Sequence, residues 1–158
     1  MKIALANLCK TEDFAKLSSL DESISFLNEN KIEYLDFASG TEKIDGMVEK
    51  FNQSILSDAK IVWVIRGGNK CIQTLDKLDW DNIVKLGKRF YGLSDFTHFS
   101  TMAVSKGITC FYGQGLTRIK QFFPAENDRK FIADFLKTGI PVSENAKAIA
   151  FANSDLDK

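Results

Sequence analysis

The stretch AKIVWVIRGG, residues 59–68, constrains the chain more than any other. Ile61 to Ile65 run apolar without a break and are rich in β-branched side chains. A strand with one wet face alternates apolar and polar residues, whereas an unbroken run is buried on both faces, the condition of a central strand in a parallel sheet. Arg66 and the Gly67-Gly68 pair close the run, so a glycine-bearing loop is expected at the carboxyl end of that strand.

The other segments agree with this. Strands are expected at KIALANL (2–8), KIEYLDF (31–37), KRFYGLS (88–94) and ITCFYG (108–113). Between them lie helical patterns. Ser19 and Glu22 have capping-box spacing ahead of Ile24 and Leu27, and Gly40-Thr41 precede a stripe of Ile44, Met47, Val48, Phe51 and Ile55. Ile72, Leu75 and Leu78 predict a short helix, and Asp79 is placed to cap a further turn carrying Ile83, Val84 and Leu86. Phe96, Phe99, Met102 and Ala103 share a helical face that ends at Gly107. Phe131, Ile132, Phe135 and Leu136 form another, closed by Gly139 and Pro141. CKTEDFAKLS, after the first strand, reads as a loop. Strand and helix thus alternate, which predicts an α/β fold: an open, mostly parallel sheet with helices on both faces and right-handed crossovers.

A chain of 158 residues suits one domain, expected over 1–142, with 143–158 a tail or linker stub. Lys+Arg and Asp+Glu both number 21, and no block of like charge occurs, which argues against nucleic acid or a membrane surface as partner. Cys9, Cys71 and Cys110 are widely spaced and odd in number, so neither a disulfide framework nor a metal site is expected, and a reducing, cytoplasmic setting fits. Nothing in the pattern calls for a cofactor.

In KRFYGLSDFTHFS, residues 88–100, Ser94 follows a strand and opens a helix. A serine hydroxyl needs a tight turn, a base and backbone N–H donors to act as a nucleophile. Gly92 permits close approach, and the N–H of Asp95 is expected to point outward at the helix start. Phe96 stands where the second glycine of a G-x-S-x-G elbow would be, and Ser94 alone reads first as a simple helix cap. His98, the only histidine, lies four residues on, above the first turn rather than opposite the hydroxyl, which disfavours it as the base. Asp95 also suits the helix dipole. The RGGN loop, 66–69, is equally a tight strand–helix turn or an anion cradle. An α/β domain binding a small anion at IRGGN and the Asp95 helix start is therefore also open.

Together, IVWVIRGGN, LDKLDWDNIVKLGKRFYGLSDFTHFSTMAV and GITCFYGQ resemble the N-terminal domain of the LD-carboxypeptidases, serine peptidases that include the microcin-immunity-type enzymes. The resemblance is specific over about 59–115 and covers Arg-Gly-Gly, Leu-Asp-aromatic-Asp, the Gly-x-Ser-Asp-x-Thr segment and the aromatic-Gly pair. It implies a flavodoxin-like or class I glutamine amidotransferase-like sheet. By it Ser94 is the nucleophile, with the N–H groups of Asp95 and of Gly67 or Gly68, Gly68 preferred, as oxyanion donors. Arg66, Gly67, Asn69, Gly92 and Thr97 are the implied substrate-binding residues. Leu93, Asn69-Lys70, the NLCK loop and Gln114 depart from the family pattern at the pocket wall.

The implied activity is release of the terminal D-alanine from a murein tetrapeptide, in cytoplasmic peptidoglycan recycling. The family's Glu and His are carried on a C-terminal domain, expected outside these 158 residues, so the chain is expected to be catalytically incomplete alone. The alternative is a non-catalytic module of the same fold that binds a peptide or carboxylate. A muropeptide or small peptide ligand is the expected partner, and the resemblance allows a homodimer.

Overall fold

The computed structural model describes residues 1–12, 14, 18–113, 115–117 and 119–139, with the side chains of residues 18, 19 and 122 left aside. The expected tail, 143–158, and Gln114 lie outside the described residues. Five parallel strands form one sheet in the order β2-β1-β3-β4-β5. They are β1 (Ile3–Ala6), β2 (Tyr34–Phe37), β3 (Ile61–Val64), β4 (Arg89–Gly92) and β5 (Cys110–Tyr112). This is the flavodoxin-like order, in which strand order reverses between β1 and β3 and ligands bind beyond the carboxyl ends.

Every residue of β1 and β3 is buried, as a strand covered on both faces must be, whereas the edge strands β2 and β5 are half-exposed. Alternate residues feed two cores. On one face Ile3, Leu5, Ile61, Trp63 and Tyr91 pack against α1 (Ser18–Glu29), α5 (Ile119–Phe122) and α6 (Glu126–Thr138). On the other Ala4, Ala6, Val62, Val64 and Phe90 meet α2 (Ile44–Leu56), α3 (Trp80–Leu86) and α4 (Thr97–Ser105). Met47, Val48, Phe51 and Ile55 of the expected α2 stripe are all buried. Ile44, the fifth, is only partly so.

Phe99 organises the second core. Its ring lies 5.3 Å from Phe51, 4.8 Å from Phe90, 5.5 Å from Phe96 and 5.4 Å from Trp80. Offset and edge contacts of this kind add roughly 0.5–1.5 kcal/mol per pair beyond area burial. They clamp α4 onto β4, and so fix the turn that joins them.

Helix punctuation follows the sequence closely. The Asp79 carboxylate accepts the Asn82 N–H at the start of α3, and Gly139 ends α6 with φ +72°, its N–H on the Phe135 carbonyl. Some local expectations differ. The helix expected over 69–78 is two 3₁₀ turns, Cys71–Gln73 and Leu75–Lys77. Ile72 is 59% exposed, and the buried positions are Cys71, Thr74 and Leu78. The α1 helix starts at Ser18, one residue before the expected cap, and the Glu22 carboxylate accepts the Lys120 N–H at 2.7 Å. That contact ties α1 to the short α5, which carries no sequence signal.

Cys9 and Cys71 are fully buried, and the neighbouring Cys71 thiol, with burial, pushes the Cys9 thiol far above its ordinary value. Burial pushes Cys110 up to about 12. At pH 8 only about 10⁻⁴ of Cys110 is then thiolate, the reactive form. The folded protein is expected to give no fast reaction with 5,5′-dithiobis(2-nitrobenzoate), all three thiols appearing on denaturation. A fast-reacting thiol in the native protein would contradict this placement.

Candidate active site

The site is built at the carboxyl ends of β1, β3 and β4. Beyond β1, the buried side chain of Asn7 folds the chain back on itself. Its Oδ1 accepts the N–H groups of Cys9 and Lys10, and its Nδ2 donates to the Lys10 carbonyl at 2.5 Å and to Thr41 Oγ1 at 2.7 Å. The Cys9 carbonyl so presented accepts the N–H groups of Asn69 and Lys70 at 2.8 and 2.9 Å. A β-carbon on Gly68 would lie 1.9 Å from that carbonyl oxygen. Only glycine lets the loop beyond β3 close on the loop beyond β1.

Ser94 has φ +56°, in the left-handed region that a residue with a β-carbon seldom occupies. Such a conformation costs roughly 1–3 kcal/mol and persists where the surroundings enforce it. Four contacts hold it here. The Ser94 N–H donates to Tyr112 Oη at 2.8 Å, and the Ser94 carbonyl accepts Thr97 Oγ1 at 2.7 Å together with the Thr97 N–H. The Asp95 carboxylate, 8% exposed, accepts the Cys71 N–H at 2.8 Å, tying the turn to the 3₁₀ segment after β3. The Phe96 ring fills the space where a Gly92 side chain would stand.

The result is a serine raised out of the sheet. Ser94 is exposed, and a β-carbon on Gly67 would lie 2.6 Å from its Cβ and 3.1 Å from its Oγ. Gly67 therefore faces Ser94 across the β3–β4 junction. Among the described residues the N–H groups of Gly67, Gly68 and Asp95 donate to no acceptor. An open cavity of about 690 Å³ lies beside the serine, lined by Tyr91, Leu93, Tyr112, Phe123, Phe131 and Asp128 among others. Among the described residues four aromatic rings line it, and Asp128 is the one charged lining residue.

The remaining expected residues have these places. Arg66 Nη1 lies 2.6 Å from a Glu12 carboxylate oxygen, which Lys10 also approaches at 3.2 Å. Asn69 is exposed, with its N–H spent on Cys9. The Thr97 hydroxyl is spent on the Ser94 carbonyl, which gives it a part in the turn. His98 Nε2 stands 3.5 Å from Asp95 Oδ1, paired with the neighbouring carboxylate of its own turn. Among the described residues no cluster of His, Cys, Asp and Glu has the makings of a metal site.

Sequence reasoning missed the cavity. Tyr91, Phe123, Phe131 and Asp128 come from three separate elements, and no spacing links them. Tyr112 carried a partial signal as the aromatic of CFYG, although its bond to Ser94 depends on strand register.

A family model, LD-carboxypeptidase N-terminal domain, matches residues 3–113. Among solved structures, the microcin C7 self-immunity protein MccF in its wild-type apo state superposes with a TM-score of 0.73 at 18% identity, covering 85% of this chain and 44% of that one. A muramoyltetrapeptide carboxypeptidase from Oxalobacter formigenes gives 0.63 at 24% identity, covering 74% and 41%. An MccF-like protein from Bacillus anthracis str. Ames gives 0.67 at 18% identity, covering 85% and 44%. The chain thus spans less than half the length of these relatives. No curated protein matches it. With the sheet order, the Arg-Gly-Gly loop and the serine turn accounted for, the chain belongs to the LD-carboxypeptidase family, whose N-terminal domain it carries.

Proposed function

We propose that these residues form the nucleophile-bearing half of a serine LD-carboxypeptidase site, acting on a murein tetrapeptide in cytoplasmic peptidoglycan recycling. The observation that carries this is the left-handed, exposed Ser94 set against Gly67 at the β3–β4 junction. Ser94 Oγ attacks the carbonyl of the amide between a meso-diaminopimelate-type residue and the terminal D-alanine. The oxyanion is received by the N–H groups of Asp95 and Gly68, with Gly67 against the serine. Collapse expels D-alanine as the amine and leaves an acyl-serine, which water then hydrolyses. Arg66, Asn69, Gly92 and Thr97 shape the substrate side, Thr97 and Gly92 through the turn itself.

The proton from Ser94 needs a base. The sequence holds one histidine, His98, which lies on the helix that Ser94 opens and above its first turn rather than opposite the hydroxyl, so the base is assigned to a further domain or a partner. The same observation favours a second reading for these residues taken alone: a module of the same fold that binds a peptide or carboxylate without cleaving it, as a monomer or homodimer.

Titration with a murein tetrapeptide, with D-alanine measured in parallel, tests the proposal. Saturable binding is expected, with D-alanine release slow and wholly lost in Ser94→Ala. Hydrolysis untouched by Ser94→Ala would overturn the nucleophile assignment, and absence of binding would overturn the substrate class.

A further inference from the structure

We propose that Tyr112 is the positioning residue of the Ser94 turn, its phenol oxygen holding the serine N–H and with it the left-handed backbone that presents the hydroxyl. The mechanistic meaning rests on Ser94 as nucleophile, but the geometry stands without it. Strand β4 pairs with β5 in the register Gly92↔Tyr112, and the ladder finishes with the Gly113 N–H on the Gly92 carbonyl at 3.0 Å. The next donor on this side, the Ser94 N–H, finds no strand carbonyl opposite, because β5 has ended. The Tyr112 side chain supplies the missing acceptor at 2.8 Å.

Two features make this more than a surface contact. The Tyr112 ring is 66% exposed and lines the cavity beside Ser94, so burial of an apolar side chain is not what places it. Its oxygen receives the Ser94 N–H, and among the described residues its own O–H donates to no acceptor, so the proton can meet a ligand in that cavity. The ring thus joins the wall that a ligand touches to the backbone that aims the nucleophile. What the position requires is an acceptor oxygen at the far end of the ring, which a phenyl ring lacks.

Amide hydrogen exchange of the ¹⁵N-labelled chain reads this directly. In Tyr112→Phe the Ser94 amide is expected to lose protection by roughly fivefold or more, the scale of one hydrogen bond. Replacing Tyr112 by O-methyltyrosine, which keeps the ring oxygen in place as an acceptor and removes only its proton, should keep the protection. Unchanged Ser94 protection in Tyr112→Phe, or protection lost equally with O-methyltyrosine, would overturn the proposal. If the amide responds as described but Ser94 proves unreactive in the wild type, the positioning role stands and the nucleophile reading falls.

Discussion

Gly68→Ala is expected to destabilise the domain by about 3 kcal/mol, the upper end of ordinary overpacking costs. The new methyl group would stand 1.9 Å from the Cys9 carbonyl oxygen and 2.5 Å from its carbon, both backbone atoms. They have little room to retreat, since the Cys9 carbonyl is held by two N–H donors and the loop behind it by buried Asn7. For a domain of this size the thermal midpoint should fall by about 10 °C. Urea unfolding checks it, and a loss under about 1 kcal/mol would mean that the loops beyond β1 and β3 are not in the contact described.

Gly67→Ala is expected to act differently, one residue away. Its methyl group would meet Ser94 Cβ at 2.6 Å, so the clash falls on the exposed serine turn. Relief requires the turn to shift by about 1 Å, and a misplacement of that size in a reacting group costs on the order of 10²-fold in rate. Stability should fall by less than in Gly68→Ala, because the turn borders solvent and the open cavity. Reactivity of Ser94 toward an acylating or phosphonylating probe, compared between the two variants, separates the effects. Equal loss of reactivity and stability in Gly67→Ala would show that the residue only packs.

Much of the fold was legible because burial writes itself into sequence. The run from Ile61 to Ile65 could only be a strand covered on both faces, and from it the α/β class and the placement of Arg66-Gly67-Gly68 at a carboxyl end follow. The helix expected over 69–78 failed for a physical reason. Ile72, Leu75 and Leu78 are spaced by three, the period of a 3₁₀ helix, and local pattern cannot show that Cys71 and Thr74 are the residues turned inward. Ser94 was readable as a position but not as a geometry. That φ is +56° depends on Tyr112, eighteen residues further on, and on Asp95 reaching Cys71, both products of register and loop closure. His98, disfavoured as the base on spacing, stands 3.5 Å from the Asp95 carboxylate of its own turn.

The central claim is that Ser94 stands in a preformed nucleophile turn that lacks only its base. Imidazole in solution can stand in for a missing histidine. Treating the protein with a fluorophosphonate over a series of imidazole concentrations, and locating the adduct by peptide mass spectrometry, tests the claim most directly. Labelling is predicted at Ser94, rising with imidazole, absent in Ser94→Ala and strongly reduced in Gly67→Ala. Ser94 left unlabelled at every imidazole concentration, or labelled no faster than the exposed serines elsewhere in the chain, would contradict it.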